Sequence, residues 1–276
     1  MASYFDDKTI LITGAASGIG RRFAETVASR GVRKLVLWDR NPDVLDEVAA
    51  GIGDKCQVIT HGVDVSSIES VTTHAEKLKS EGVVPDLILS CAGIVVGKMF
   101  HEHSAEEIQR TLDINTTGSM WVVHAFLEEM IERGSGHIVN LASASGYIGN
   151  PRMSVYAASK WAVIGWSESL RLEMGKLNTG ISITSVVPSY IKTGMFEGVK
   201  APFLVPLLET DQIVELMIKG ISKKKSKIQA PFMVRFVPFI KSLLPERAFD
   251  WVAGNVLGVY RSMESFEGRE RDKEKE

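Results

Sequence analysis

Cysteine is scarce in this 276-residue chain, which contains only Cys56 and Cys91. Both stand in apolar contexts without a CxxC pair or a Cys/His spacing, so the sequence predicts two buried free thiols in a reducing compartment. The six histidines show no metal-ligand spacing supported by carboxylates. We therefore expect no metal site.

Long apolar runs and an excess of one charge are also absent. Prolines interrupt every apolar stretch before it reaches the roughly 18 residues that a membrane-spanning helix needs, and the N-terminus has no secretory signal pattern. The formal net charge is -2, from 32 basic and 34 acidic residues. Without a basic stripe, nucleic acid is a poor candidate for the main partner. The predicted location is cytoplasmic.

The hydrophobic pattern predicts the fold. With 45% hydrophobic and 24% charged residues, the chain can bury a large core. Short runs that are almost continuously apolar suit strands buried on both faces, and they lie at 9–12, 34–38, 57–60, 87–89, 137–141 and 181–187. Helical-period stretches alternate with them, at 18–30, 41–52, 67–81, 104–133 and 153–177. This alternation predicts a single α/β domain with a doubly wound parallel sheet.

The predicted domain covers residues 1–230 and is followed by other segments of distinct composition. Within it, residues 189–210 are apolar but broken by proline and glycine. This pattern favours a lid that covers a substrate or the wall of a pocket. Residues 231–266 form an apolar, aromatic-rich extension that we expect to be helical. Residues 267–276 are almost all charged and are predicted to be a disordered tail.

A glycine-rich turn follows the first predicted strand. The segment Thr13–Gly20 reads TGAASGIG and leads into a helix, so its backbone and the helix N-terminus can hold a pyrophosphate. Asp39 ends the second strand 19 residues after Gly20, where a carboxylate can bind a ribose diol. The unit predicts a dinucleotide site, with a purely structural turn as the alternative.

A second group of polar residues lies downstream. Ser143 follows the strand that ends at Leu141, while Tyr156 and Lys160 are one turn apart on the next helix. Both helical side chains project towards the carboxyl end of that strand, where ligands bind in open α/β sheets. The ordinary pKa of a phenol is about 10, and we expect the ammonium of Lys160 to lower that of Tyr156. Ser143 can donate to the oxygen of a carbonyl substrate.

Taken together, these motifs resemble the short-chain dehydrogenase/reductase family over about residues 6–230. Ser90-Cys91-Ala92-Gly93 looks like the family's fourth-strand motif, and Asp64-Val65 looks like its adenine-contacting pair. The cofactor-binding residues implied by the resemblance are Gly14, Ser17, Gly18, Ile19, Gly20, Asp39, Arg40, Asp64, Val65, Ala92, Gly93, Asn115, Tyr156, Lys160, Pro188, Ile191 and Thr193.

The resemblance also implies catalytic roles. Tyr156 would be the general acid and base, and Lys160 would lower its pKa and bind the nicotinamide ribose. Ser143 would orient the substrate oxygen. Asn115 would hold a water molecule that links Lys160 to solvent. The implied fold is a Rossmann fold, and the implied enzyme is an oxidoreductase acting on CH–OH groups.

Three positions in two motifs depart from the family pattern. Ser90 and Cys91 replace two asparagines, which calls the structural hydrogen bonds of that motif into question, and Ser189 stands where glycine is common after proline. Neither departure touches the proton-transfer residues, so the enzyme interpretation stands.

The residues around the predicted adenosine favour NAD(H). Asp39 would accept from both ribose hydroxyls and repel a 2′-phosphate, and Ser17 stands where phosphate-preferring relatives often place a basic residue. Arg40 could pair with a phosphate, so NADP(H) stays open as a cofactor.

The apolar lid and the C-terminal extension predict a hydrophobic substrate. The alternative is that Phe232, Phe236, Trp251 and Tyr260 pack on the sheet or form a subunit contact. Val36–Asp39 and residues 243–247 resemble the retinol and 17β-hydroxysteroid dehydrogenase branch, which implies a lipid-, retinoid- or steroid-like secondary alcohol or ketone. Residues 223–245 mix basic and bulky apolar side chains, which suits either peripheral membrane contact or a solvated loop before a core helix.

The two long predicted helices, 104–133 and 153–177, carry more apolar surface than one sheet face requires. Family resemblance implies a homodimer or homotetramer through them, and a thicker monomer core is the alternative. The predicted function is an NAD-dependent oxidoreductase for a hydrophobic secondary alcohol or ketone. An NADPH-dependent ketoreductase and a non-catalytic dinucleotide-binding redox sensor remain alternatives.

Overall fold

A seven-stranded parallel sheet forms the centre of the structure, a computed structural model that describes residues 3–203 and 205–268. Its strands are β1 (Thr9–Thr13), β2 (Lys34–Asp39), β3 (Gln57–Gly62), β4 (Leu87–Ser90), β5 (Gly136–Leu141), β6 (Ile181–Pro188) and β9 (Lys227–Ala230). The spatial order is β3-β2-β1-β4-β5-β6-β9. The order reverses between β1 and β4, which opens a crevice at their carboxyl ends. The predicted Rossmann fold is confirmed.

The central strands are buried on both faces. All of β1 is buried, and its residues alternate between two core layers, with Ile10 and Ile12 on one side and Leu11 on the other. Each face needs apolar side chains because helices cover both. This is why the strands appear in the sequence as continuous apolar runs.

The helices form the two outer layers. One layer packs Phe23, Leu45 and Met217 onto the sheet and contains α1 (Gly18–Ala28), α2 (Pro42–Ile52) and α7 (Thr210–Ser222). The opposite layer contains α3 (Ile68–Ser80), α5 (Gly118–Arg133) and α6 (Ser154–Lys176). A shorter helix, α4 (Ala105–Leu112), precedes α5 and begins with a capping box between Ser104 and Glu107.

The predicted single helix over 104–133 is wrong in its middle. A π-helical turn at Asp113–Thr117 separates α4 from α5. The segment Asp-Ile-Asn-Thr-Thr consists of poor helix formers, and the Asn115 carboxamide bonds to the backbone of Ile94 outside the helix. Such turns are common at functional sites.

The sequence analysis missed one outer helix and one strand of the central sheet. α7 buries Ile213, Met217 and Ile221 at helical spacing, a signal that the sequence did contain. β9 pairs with β6 from Ser185–Lys227 to Pro188–Ala230. Its four residues, KIQA, carry too weak an apolar pattern to predict an edge strand.

The predicted lid and C-terminal extension contact each other. The lid contains a small parallel pair, β7 (Ile191–Lys192) and β8 (Leu208–Glu209). After β9 the chain forms a 3₁₀ turn at Phe232–Phe236, then α8 (Val237–Leu243), α9 (Glu246–Trp251) and two further turns, so the extension is helical as expected. The N–H groups of Lys200 and Phe203 donate to the carbonyls of Ser262 and Leu257, at 3.1 and 2.8 Å. The domain boundary at residue 230 stays a prediction.

Residues 269–276 of the predicted charged tail lie outside the described residues. Glu267, its first residue, donates its N–H to the Glu197 carbonyl at 2.9 Å. The disordered tail stays a prediction. Within residues 3–203 and 205–268, no helix combines the length and apolarity needed to cross a bilayer.

Cys56 and Cys91 form no disulfide, but neither side chain is fully buried, so the prediction of buried thiols is wrong. Cys56 stands directly before β3 and Cys91 directly after β4. Side chains at strand ends are partly exposed because the helical layers cover the strand interiors more completely than the strand ends.

A chain of hydrogen bonds crosses the amino end of the sheet. Thr184 Oγ1 donates to the Lys225 carbonyl at 2.6 Å, so it accepts from His137 Nε2 at 2.7 Å. His137 Nδ1 then accepts from the Tyr4 hydroxyl at 2.8 Å. Burial, together with the positive charges of Lys224 and Lys8, lowers the pKa of His137 to about 4.

We expect His137 to make the protein acid-labile. Because its pKa is about 4 in the folded state and about 6.5 in an unfolded chain, the unfolded state binds more protons between these values. The contribution of His137 to the free energy of unfolding is therefore complete above about pH 6.5. It is lost as the pH falls towards 4, by about 3 kcal/mol at most. Urea unfolding of wild type and His137→Gln at about pH 7 and about pH 4.5 measures this difference.

The His137→Gln protein should be less stable near neutrality but should lose less stability on acidification. The exposed His124 provides the matched control, since His124→Gln should keep the wild-type pH dependence. Equal pH slopes for wild type and His137→Gln would contradict the assignment.

Candidate active site

A cavity of about 170 Å³ lies at the carboxyl edge of the sheet, where the strand order reverses. The predicted site residues that line it are Gly14, Ser17, Gly18, Ile19, Gly20, Asp39, Arg40, Asp64, Val65, Ala92, Gly93, Ser143, Tyr156, Lys160, Pro188, Ile191 and Thr193. The fold therefore brings residues from both halves of the sheet to one place.

Several lining residues were not among the predicted ones. Most are sequence neighbours of the motifs, such as Val63 before Asp64 and Ile94 after Gly93, so adjacency was the signal that could have found them. Cys91, Ser189 and Phe196 also contribute to the wall.

The glycine turn brings two stretches of backbone into close contact. Gly14 has a positive φ of 67°, and a Cβ atom there would lie 2.8 Å from the Ala92 nitrogen. A Cβ on Gly20 would collide with the Gly14 carbonyl oxygen. α1 begins directly after this turn, and its N-cap residue, Ser17, makes no side-chain capping bond. The first N–H groups of α1 are thus available to an anion such as a pyrophosphate.

Asp39 is held in a fixed orientation at the end of β2. Its Oδ2 accepts from the Ala16 N–H at 3.1 Å and its Oδ1 from the Asn41 N–H at 3.2 Å. Each carboxylate oxygen keeps a second lone pair that can accept a hydroxyl. Asp39 can therefore bind a diol without rearrangement.

Thr13 supports the segment after β4. Its Oγ1 accepts from the N–H groups of Cys91 and Ala92, at 3.1 and 3.2 Å. Thr13 on β1 therefore holds the backbone beside the glycine turn in place, although Ser90 and Cys91 stand where the family usually has two asparagines. Ser90 Oγ, by contrast, is buried without a hydrogen-bond partner among the described residues.

Ser143, Tyr156 and Lys160 meet between β5 and α6, with exposed fractions of 7%, 5% and 4%. The Ser143 hydroxyl interacts with the Tyr156 phenol and also accepts from the Ser145 N–H at 3.2 Å. Lys160 Nζ donates to the Leu141 carbonyl at 2.9 Å and lies 5.7 Å from the centre of the Tyr156 ring. The predicted geometry of a phenol with an adjacent ammonium and hydroxyl is thus present.

The expected lowering of the Tyr156 pKa by Lys160 is wrong for this structure. Burial raises the pKa of Tyr156 above its ordinary value, and hydrogen bonding with Ser143 offsets this only in part. Burial also lowers the pKa of Lys160 to about 8. Desolvation is the largest cause of both shifts, and it disfavours the charged form of each group.

Asn115 lies behind the cavity rather than on its wall. The π-helical turn directs its carboxamide to Ile94, with Oδ1 accepting from the N–H at 2.8 Å and Nδ2 donating to the carbonyl at 2.9 Å. Nδ2 also donates to Ser159 Oγ at 3.1 Å. Asn115 therefore ties the chain after Gly93 to the helix that carries Tyr156.

A second cavity, of about 130 Å³, adjoins the first. Ser143, Ser189 and Phe196 belong to the walls of both. Most of the remaining wall is apolar and comes from the lid and the C-terminal extension: Pro202, Phe203, Val205, Met233, Val234, Val237, Ile240, Phe249, Val252, Ala253, Leu257 and Val259. Ala144, Ser145, Ile148, Asn150 and Tyr190 complete it. The ring of Phe196 stands edge-on to that of Tyr156, with centres 6.0 Å apart.

The aromatic residues singled out in the extension are not those that face this cavity. Phe232, Phe236 and Trp251 are exposed, and with Tyr260 they are absent from its wall. Packing of these three against the sheet is therefore wrong.

The chain is similar to known dehydrogenases. The family model described as short chain dehydrogenase matches residues 8–202. Epidermal retinol dehydrogenase 2 of Mus musculus is 36% identical over 267 residues, which cover 95% of this chain and 86% of that protein. Estradiol 17-beta-dehydrogenase 11 of Homo sapiens is 34% identical over 242 residues, covering 86% and 79% respectively.

Solved structures agree with this similarity. A short-chain dehydrogenase from Sphingobium yanoikuyae in complex with NADPH superposes with a TM-score of 0.76 at 29% identity, covering 86% of this chain and 92% of that one. A short chain dehydrogenase/reductase from Burkholderia phymatum in complex with NAD gives 0.76 at 26% identity, covering 85% and 92%.

We expect Thr13→Val to destabilise the site. The substitution keeps the shape of the side chain but removes the acceptor of two N–H groups, at a cost of about 2 kcal/mol. Urea unfolding measures the loss, and amide hydrogen exchange at Cys91 and Ala92 should accelerate. Thr13→Ser retains the hydroxyl and should restore slow exchange; fast exchange in both variants would contradict the role of Oγ1.

Proposed function

The chain belongs to the short chain dehydrogenase family, and we propose that it is an NAD-dependent oxidoreductase for a hydrophobic secondary alcohol or ketone. Family membership makes it an NAD(P)-dependent enzyme that acts on alcohol or carbonyl groups. The observation that carries the finer proposal is the junction of the two cavities at Ser143. The cavity that suits a dinucleotide there meets a more strongly apolar cavity that suits the substrate.

The residues of the first cavity fit a nicotinamide dinucleotide. The close backbone approach at Gly14 and the start of α1 would hold the pyrophosphate, and Asp39 would hold the adenosine ribose. Asp64 and Val65 would contact the adenine. Lys160 would bind the nicotinamide ribose, and Pro188, Ile191 and Thr193 would surround the carboxamide. When bound, the nicotinamide ring supplies the hydride acceptor or donor.

Tyr156 would move the proton. In alcohol oxidation, the carbon-bound hydrogen leaves as hydride while the hydroxyl proton passes to the phenolate oxygen of Tyr156; ketone reduction reverses both transfers. Ser143 would donate to the substrate oxygen as negative charge develops there. Because burial raises the pKa of Tyr156, the protein without ligands holds the protonated form that ketone reduction requires. Asn115 would act through the backbone of Ile94 and through a water molecule near Lys160.

A bulky apolar substrate with one reacting oxygen suits the second cavity. Its wall is mainly aliphatic and aromatic apart from the serines near Tyr156 and the Asn150 and Tyr190 side chains. Two similar proteins are named for retinol and estradiol, which are both large and lipophilic. We therefore propose a lipid-, retinoid- or steroid-like alcohol or ketone as substrate.

We also propose a cytoplasmic enzyme that forms a homodimer or homotetramer and contacts membranes peripherally through residues 223–245. The exposed Trp161 and Leu172 on α6 support subunit contact through this helix. The exposed Phe232, Phe239 and Leu243, with Arg235 over the Phe232 ring and Lys241 on the same helix as Phe239, support the membrane contact.

Replacing Tyr156 tests the catalytic proposal. Tyr156→Phe should bind NAD(H) as wild type does but lose at least about 10²-fold in turnover, because the proton carrier is gone. Absorbance of the reduced nicotinamide, followed with secondary alcohols from short and polar to steroid-sized, measures turnover. Wild-type activity should rise with substrate hydrophobicity.

Equal turnover in wild type and Tyr156→Phe would remove Tyr156 from the reaction. Clear cofactor binding with no turnover of any alcohol by wild type would favour the redox-sensor alternative. Thermal unfolding of both proteins controls for misfolding.

Replacing Asp39 tests the cofactor preference. Asp39→Ala removes both the acceptor for the ribose hydroxyls and the charge that repels a 2′-phosphate, so the ratio of NAD to NADP affinity should fall about tenfold or more. Fluorescence titration with NADH and NADPH measures both affinities. Asp64→Ala, at the same cavity, should leave the ratio close to that of wild type. An unchanged ratio in Asp39→Ala would contradict the assignment of Asp39 to the ribose hydroxyls, and tighter binding of NADPH than NADH by wild type would favour the NADPH-dependent alternative.

A further inference from the structure

The wall of the apolar cavity contains a buried carboxamide, that of Asn150. This residue lies between β5 and α6, is 9% exposed, and lines the apolar cavity but not the cavity that suits a dinucleotide. Its Nδ2 donates to the Tyr190 hydroxyl at 2.9 Å and to Ser262 Oγ at 3.0 Å. Its Oδ1 is buried and has no hydrogen-bond partner among the described residues. A buried acceptor without a donor is rare in proteins, because it costs free energy.

The neighbouring hydroxyl groups determine which way the carboxamide faces. Ser262 Oγ donates its only proton to the Val259 carbonyl at 2.6 Å. The Tyr190 hydroxyl therefore donates to Ser262 Oγ at 2.7 Å and has no proton left for Asn150. Both contacts of Asn150 with these hydroxyls thus need N–H donors, and only Nδ2 supplies them. The unused group of the carboxamide is therefore an acceptor, Oδ1.

Three segments that are distant in sequence hold this carboxamide in place. Asn150 belongs to the connection after β5, Tyr190 to the lid and Ser262 to the C-terminal extension. The last two residues are 9% and 1% exposed, so their hydrogen bonds with Asn150 are shielded from water. The flexible side chain of Met153 packs against the same carboxamide, with Sδ 3.7 Å from Nδ2, and can adapt when the cavity is filled. The position of Oδ1 is thus set before a ligand binds.

The polar groups of the apolar cavity lie in two places. Ser143 and Ser189 belong to the walls of both cavities and mark the end where the reaction would take place. Asn150 and Tyr190 line the apolar cavity alone, and the proton of Tyr190 is already donated to Ser262. A substrate that fills this cavity therefore meets the unused acceptor of Asn150 away from the reacting carbon. An acceptor pairs with an O–H or N–H group and not with a carbonyl.

We propose that Asn150 is a specificity-determining residue whose Oδ1 accepts a hydrogen bond from a second hydroxyl group of the substrate, remote from the carbon that reacts beside Ser143. The substrate class is a lipophilic diol or hydroxyketone that reacts at one end only. This inference rests on the proposed function, since it assigns the apolar cavity to the substrate. At the remote position a hydroxyl pairs with Oδ1, a hydrogen atom leaves it unpaired, and a ketone brings two acceptors together. The expected order of preference is hydroxyl, then hydrogen, then ketone.

Probes that share one apolar body test the preference. They are bicyclohexyl-4,4′-diol, 4-cyclohexylcyclohexanol and 4-(4-hydroxycyclohexyl)cyclohexanone, each oxidised with NAD and followed by nicotinamide absorbance. Wild type should show a kcat/KM for the diol about tenfold or more above that for the mono-alcohol, beyond the statistical factor of about two for two equivalent ends. The hydroxyketone should be the slowest. The pair 5α-androstane-3β,17β-diol and 5α-androstan-17β-ol repeats the comparison with a longer body.

Two variants assign the preference to Asn150. Asn150→Leu has a similar size but no acceptor, so the ratio of diol to mono-alcohol kcat/KM should fall to the statistical factor. Tyr190→Phe is the matched control, because it removes the other polar group of the same part of the wall and keeps Oδ1. It should keep the wild-type ratio. Thermal unfolding shows whether each variant is folded, and the comparison of probes on wild type needs no variant.

Three outcomes would overturn the inference. Wild type with no preference for the diol in either pair of probes would remove the hydroxyl subsite. A wild-type ratio in Asn150→Leu would remove Asn150 from recognition, and loss of the ratio in Tyr190→Phe alone would assign recognition to Tyr190.

Failure of the proposed function is distinguishable from failure of this inference. If wild type oxidises none of the probes, the proposed function fails. Calorimetric titration of the diol and the mono-alcohol into wild type with NADH then decides the hydroxyl subsite, because it needs no turnover. Tighter binding of the diol would support the subsite, and equal affinities would overturn it.

Discussion

The site depends on the parallel register of β1 with β4 and of β4 with β5, because this register brings the carboxyl ends of the strands to one edge. At the end of β1, Thr13 Oγ1 accepts hydrogen bonds from the Cys91 and Ala92 N–H groups after β4. At the end of β5, the Leu141 carbonyl accepts a hydrogen bond from the Lys160 ammonium. These bonds join residues 78, 79 and 19 positions apart. These hydrogen bonds hold the strand ends in place, and both cavities lie at this edge of the sheet.

Burial sets the electrostatics of this edge. Tyr156 and Lys160 are almost completely enclosed, and the pKa of each shifts towards its neutral form. A charged ligand that enters such a site shifts the pKa values of Tyr156 and Lys160 more than it could in water, because charges interact strongly where solvent is excluded. Proton transfer by Tyr156 would then be governed by the occupied site rather than by the neighbouring lysine alone.

The C-terminal extension shows how an apolar segment can act on both of its sides. Val237 and Ile240 close a cavity, while Phe239 and Leu243 leave apolar area in water. Polar side chains at these outer positions would keep the cavity and remove the cost of exposure. Folding of a single chain does not explain why Phe239 and Leu243 are apolar. Their exposure indicates that this surface contacts another molecule or a lipid surface.

The sequence by itself determined the doubly wound sheet, the glycine turn with Asp39, and the pairing of Tyr156 with Lys160, because periodicity and one-turn spacing are local properties. Only the tertiary structure decided that Thr13 supports Cys91 and Ala92, that a π-helical turn aims Asn115 at Ile94, and that the pKa of Tyr156 is raised. It also decided which side chains of α8 line a cavity. Each of these depends on burial or on contacts between distant residues, which the order of residues along the chain does not specify.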